Sequence, residues 1–179
     1  MVKPFIGIKK LWYGPVLTAD LASVADITAL VAPTSGTSTF KEIKNVHQGT
    51  WGYSQDDPSV TDYVNELTGQ PYYRDKETLG ARTINFTLGV YDFATKAALQ
   101  GGAAIGEDAG WKSSGALENV NKCIVAQTKT GNYIVFSNAS IVAKGDQQEK
   151  NIGLGITAVA MENDNDGVEA EYMFAAPEA

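Results

Sequence analysis

A chain of 179 residues, 44% apolar and 20% charged, has enough hydrophobic matter for one packed core, which excludes disorder along its whole length. Its net charge of −7, from 14 bases against 21 acids, excludes general DNA binding through neutralised phosphates. The single cysteine, Cys123, excludes an internal disulfide and a cysteine-rich zinc site.

At the N-terminus Lys3, Lys9 and Lys10 interrupt the apolar residues, and Asp20 and Asp26 follow before any long apolar run. Neither a secretory signal nor a membrane span is expected, and synthesis in the cytosol is the default. Residues 5–17, "FIGIKKLWYGPVL", predict a strand with a turn at Gly14-Pro15. "ADLASVADITALVAP" places Leu21, Val24 and Leu30 near helical spacing, with Asp20 as N-cap and Pro33 as stop. Ile27, Thr28 and Val31 leave a strand open there. "TSGTST" (34–39) is a polar link, and strand character returns in "FKEIKNVHQGTWGY", with Gly49 as a bulge.

The stretch Trp51 to Gly80, "WGYSQDDPSVTDYVNELTGQPYYRDKETLG", holds half of the eight tyrosines and shows no sustained apolar period. It predicts a long loop, about 53–80. Such a loop is uncommon inside a compact domain unless it is functional or disordered, and disordered segments are poor in aromatics. Its tyrosines therefore call for something to pack against.

"ARTINFTLGVY" then alternates cleanly, with Ile84, Phe86 and Leu88 on one face and Thr83, Asn85 and Thr87 on the other. "YDFATKAALQGG" predicts a helix over about 92–100, capped by Asp92 and closed by Gly101. "AAIGEDAGWKSSGALENV" reads as loop. Residues 122–129 and 132–137 form a hairpin across "TGN", where Gly131 and Asn132 would take positive φ. Cys123 falls in a strand pattern and is expected as a buried thiol. "ASIVAKGDQQEK" runs into a polar turn, and "NIGLGITAVAME" is the last strand expected. From Glu162 onward there are six acids and no base, which predicts a solvated acidic tail over 162–179 behind one β domain over 1–161. The fold class expected is mainly β: a sandwich or partly closed barrel with one flanking helix.

Chemistry-bearing motifs are thin, and no enzyme activity, metal or cofactor is expected. His47 stands in a strand pattern without a nucleophile motif. "QGGAAIGEDAGWK" lacks the spacing and the preceding strand of a phosphate loop. "ENDNDG" matches the early positions of a calcium loop, but Met173 stands where the final bidentate acid belongs.

The order of parts is more informative. A strand ends in "GTWGYSQDDPSV", a long segment holds "ELTGQPYY", "GARTINFTLGVYDFATKAALQGG" follows, and hairpins lead to "GITAVAME". This layout resembles the major tail tube proteins of long-tailed bacteriophages and prophages. The likeness covers roughly residues 40–160 and is strongest at Gly80–Gly102. It implies a β-sandwich with a flanking helix, self-assembling into hexameric rings that stack as a tube. Sheets of neighbouring subunits join into an inner barrel, and the long loop reaches adjacent rings. The expected partners are further copies of the chain and other phage tail proteins, with DNA only as passing cargo. The expected location is the host cytoplasm and then the virion tail. Trp51, Tyr53, Tyr63, Tyr72 and Tyr73 are the expected inter-subunit contacts, since aromatics with few rotors are enriched at interface centres. Two alternatives stay open. One is another tail component, such as a terminator or the tube protein of a contractile injection machine. The other is a monomeric carbohydrate-binding module using Trp51, Tyr53, Tyr72 and Tyr73 as a stacking platform.

Overall fold

The computed structural model describes residues 2–32 and 39–176, so the expected stop at Pro33 and most of the 34–39 link lie outside it. The elements run in the order β1 (Lys10–Gly14), α1 (Val24–Val31), β2 (Lys41–Ile43), β3 (Gly52–Gln55), β4 (Ser59–Asn65) and β5 (Gln70–Thr78). Then come β6 (Arg82–Leu88), α2 (Phe93–Gln100), β7 (Ala103–Ile105) and β8 (Gly110–Lys112). The chain continues through β9 (Val120–Gln127), β10 (Tyr133–Gln148), β11 (Asn151–Ala160) and β12 (Glu171–Phe174). The protein is mainly β, as expected, and α1 forms as helix where the sequence leaves helix or strand open, so among the described residues two helices rather than one accompany the sheet.

Eight strands form one sheet, ordered β2-β1-β9-β10-β11-β6-β3, with β12 also on β10. Its edges, β2 and β3, do not pair with each other, so no barrel closes. The sheet nevertheless curls strongly. Five strand spacings of about 4.8 Å separate β2 from β6, yet the link from β2 to β3 bridges them directly. His47 N donates to the Thr87 carbonyl at 2.8 Å, and the Asn45 carboxamide oxygen accepts from Gly89 N and Val90 N. Gly49 sits in the turn of this link at φ +81°, not in a bulge.

Two cores follow from the period of two. One face gathers Leu11, Tyr13, Ile84, Phe86, Leu88, Ile124, Phe136, Leu154 and Ile156 under Leu99 of α2. The opposite face gathers Trp12, Cys123, Val125, Tyr133 and Val135 under Ile27 of α1, with Leu17, Leu21 and Val168 beside them. β1, β9 and the first half of β10 are therefore buried on both faces, and each large side chain there contributes about 1.5–3 kcal/mol. Burial also pushes the Cys123 thiol well above its ordinary range, which disfavours the thiolate.

The helices form where local chemistry permits. Asp92 caps α2 by accepting from Thr95 N at 2.6 Å, and Gly101, at φ +85°, donates to the Ala97 carbonyl. The N-cap of α1 is Ser23 rather than Asp20. Asp26 accepts from Ala22 N and Ser23 N, while Asp20 instead accepts from the Tyr172 hydroxyl at 2.6 Å. The segment 103–112, expected as loop, forms the small β7–β8 hairpin. Lys96 lies 4.2 Å from the centre of the Trp111 ring and ties it to α2.

β10 is longer than its sequence pattern implied. It runs for 16 residues, with a bulge between Phe136 and Ala139. Of the hairpin glycine and asparagine before it, only Gly131 takes positive φ. Asn132 is buried, and its side chain donates to the Lys3 carbonyl at 2.6 Å and accepts from Ala176 N at 2.8 Å.

The segment from Glu162 is not the solvated tail that its acids implied. The ladder of β11 on β10 ends with Met161 N donating to the Asn138 carbonyl. It resumes with Ser137 N donating to the Ala170 carbonyl and Phe136 opposite Glu171. β12 is thus a continuation of β11, interrupted where the chain leaves the sheet for residues 162–169. The excursion is anchored by the buried Asn163, which donates to the Leu17 carbonyl at 3.0 Å, and by the buried Val168. Glu162, Asp164, Asp166 and Glu169 remain exposed around these anchors, which is how an acidic sequence can fold against a core.

Candidate assembly surface

The stretch expected as a loop is a β-hairpin, β4–β5, growing from the end of the β3–β6 ribbon. Asp56 N donates to the Ala81 carbonyl, which extends that ribbon by one bond. Gly80 makes the exit possible, because a Cβ there would collide with the Asp56 carbonyl. At the far end Asn65 turns the chain: its carbonyl accepts from Gly69 N at 2.8 Å, its side chain accepts from Leu67 N, and Gly69 takes φ +66°.

Across the hairpin Tyr63 faces Tyr73, with ring centres 5.8 Å apart, and Asp62 faces Arg74 in a two-pronged ion pair at 2.6 and 2.8 Å. Hydrogen bonds from Arg74 hold the Asp62 carboxyl below its usual range. The ladder skips Tyr72 and Glu77 on β5, two bulges that strengthen twist. Glu77 accepts from the Thr61 hydroxyl at 2.6 Å.

No residue from 54 to 79 is buried. Tyr63, Tyr72 and Tyr73 are 45%, 71% and 57% exposed, and Val60, Val64, Leu67 and Leu79 are exposed with them. A two-stranded hairpin is marginal in water without a further strand or a packed face. This one therefore presents an apolar surface that the described residues leave uncovered.

The five expected contact residues separate into two groups. Tyr63, Tyr72 and Tyr73 lie on the hairpin. Trp51 and Tyr53 are half-buried at its root, Trp51 stacked 6.4 Å from Phe86 and Tyr53 tilted 6.3 Å from Phe136. The Tyr53 hydroxyl donates to Glu171 Oε1 at 2.8 Å, and Arg82 holds the other carboxylate oxygen at 2.9 Å. Trp51 and Tyr53 thus serve the chain's own core, and the four aromatics of a glycan platform do not share one free surface. The aliphatics Val60, Val64 and Leu67, not among the expected contacts, are exposed on the same hairpin. The four-residue spacing of the two valines was their one visible signal.

A second surface feature lies at the opposite end of β6. A hollow of about 390 Å3 opens between β2 and the turn into α2, lined by Ile43, Leu88, Val90 and Tyr91 and by charges of both signs, Lys41 and Lys44 with Glu42, Asp92 and Asp108. Among the described residues no helix is long and apolar enough to cross a membrane. No protein-family model matches the chain, and a comparison with curated proteins found no match.

Proposed function

We propose that this protein is a structural subunit that assembles with copies of itself into hexameric rings, which stack as the tail tube of a bacteriophage or prophage and form a conduit for DNA. The observation that carries the proposal is the β4–β5 hairpin. It holds tyrosines and aliphatics on an element that the described residues leave exposed. Apolar clusters of this kind on a soluble chain mark interaction sites. The open edges at β2 and β3 add unpaired backbone groups that a neighbouring sheet would satisfy. Closing identical subunits into a ring removes both exposures at once. On this reading the subunit waits in the host cytoplasm, joins other tail proteins in the virion, and touches DNA only as cargo.

The test is negative-stain microscopy with light scattering across a rising protein concentration. Rings or tubes of uniform width are expected. A chain that stays monomeric throughout would sink the proposal.

A further inference from the structure

Residues 3–9 run along the β9–β10 turn and are held there by hydrogen bonds of their backbone. The Lys3 carbonyl accepts from Asn132 Nδ2 and the Pro4 carbonyl from Thr130 Oγ1, both at 2.6 Å. The Ile6 carbonyl accepts from Lys129 N at 3.0 Å, and Lys9 N donates to the Gln127 carbonyl at 2.7 Å. The side chains of Val2, Phe5 and Ile6 stay exposed along the way. The segment is a strap with little buried apolar area to keep it in place.

The segment that follows β12 arrives at the same residue. β12 pairs with Tyr133–Phe136, and two positions past it Ala176 N donates to Asn132 Oδ1 at 2.8 Å. Asn132 itself is fully buried. Its partners fix which way its carboxamide points. The Lys3 carbonyl can only accept and Ala176 N can only donate, so a flipped amide would set like against like on both sides. One buried carboxamide thus serves two segments far apart in sequence. Losing either partner leaves half of that group unsatisfied or free to turn, which weakens its hold on the other.

We propose that Asn132 couples the strap 3–9 to the end of β12, so that release of either segment loosens the other. The proposal does not rest on the tube reading. Coupling between two sites is reciprocal, so the effect runs in both directions. Displacement of the strap is thereby transmitted to β12, the strand that carries Glu171 beside Tyr53 and Arg82.

The test is residue-resolved amide hydrogen exchange on full-length variants. Ala176→Pro deletes the donor on the β12 side, and the Lys129 amide, held by Ile6, reports on the strap. Thr130→Val deletes a strap bond, and the Ala176 amide reports on the β12 side. Each change is expected to speed exchange at the reporter across Asn132 at least several-fold, by comparable factors, with Val125 in the centre of β9 unchanged. A reporter that keeps its parent rate in either variant overturns the coupling. So does a uniform rise that includes Val125, because that is global loosening. Asn132→Ala is expected to speed both reporters together, and an effect on one alone overturns the shared anchor.

Discussion

The Tyr53 hydroxyl bonds Glu171 across 118 positions of sequence, joining β3 to β12 at the point where Arg82 enters β6. Burial first, then this bond and the carboxylate's charge, push the Tyr53 phenol up to about 12. Glu171→Ala would leave a phenol and a guanidinium without their acceptor and should cost about 1–3 kcal/mol in urea denaturation, with Glu171→Gln costing less. The pH dependence follows from the direction of the shift. A raised pKa means that the folded state holds the proton longer, so this stabilisation is complete below about 10 and is lost as pH rises toward 12. Phenolate absorbance during an alkaline titration should show a late-ionising tyrosine that Tyr53→Phe removes.

Truncation after Asn163 should destabilise the subunit strongly. It removes Val168 from the second core, strips β12 from Tyr133–Phe136, and leaves Arg82 and Tyr53 unpaired. Thermal denaturation should show a fall well beyond a few degrees. An unchanged melting temperature would mean that β12 contributes nothing to stability.

Phe86 is 1% exposed and stacks on Trp51. Phe86→Ala should cost about 3–5 kcal/mol, and Phe86→Asp should prevent folding, because an unpaired carboxylate would sit in the first core. Circular dichroism and denaturant titration of the two variants check the order.

Asp92 both caps α2 and pairs with Lys41. Partial burial raises its pKa, but the Lys41 ammonium and the Thr95 bonds outweigh that and hold it at about 2. Its contribution is complete above the ordinary aspartate value and is lost as pH falls through about 2. Asp92→Ala should cost about 1 kcal/mol at neutral pH. Asp92→Asn, which keeps the cap and loses the ion pair, should cost less and flatten the acid limb of the stability profile.

Replacing Ser59–Thr78 with a short Gly/Ser linker should leave the melting temperature nearly unchanged, since no buried side chain is lost and loop length costs little entropy. Association should fail. In the dilute full-length subunit the hairpin amides should exchange with solvent sooner than those of β9–β11 and become protected on assembly. Slow exchange in the monomer would contradict the proposed role.

Local chemistry was enough to specify much of this protein from sequence. Strict alternation placed Ile84, Phe86 and Leu88 in the core, a cap and a glycine bounded α2, and Gly131 marked the β9–β10 turn. Each of these depends on neighbours only a few residues away. The hairpin escaped because its tip lacks an Asn-Gly or Asp-Gly signal and bulges at Tyr72 and Glu77 break the period of two. β12 escaped because its partner lies far off, with Met173 opposite Ile134, and because its acids read as solvated. Only the folded chain brings Arg82 to Glu171 and lets a charged residue enter a strand. The same long-range packing divided the aromatics. Trp51 and Tyr53 are half-buried because Phe86 and Phe136 lie beside them, whereas Tyr63 and Tyr73 meet each other's rings on the hairpin and stay exposed with Tyr72.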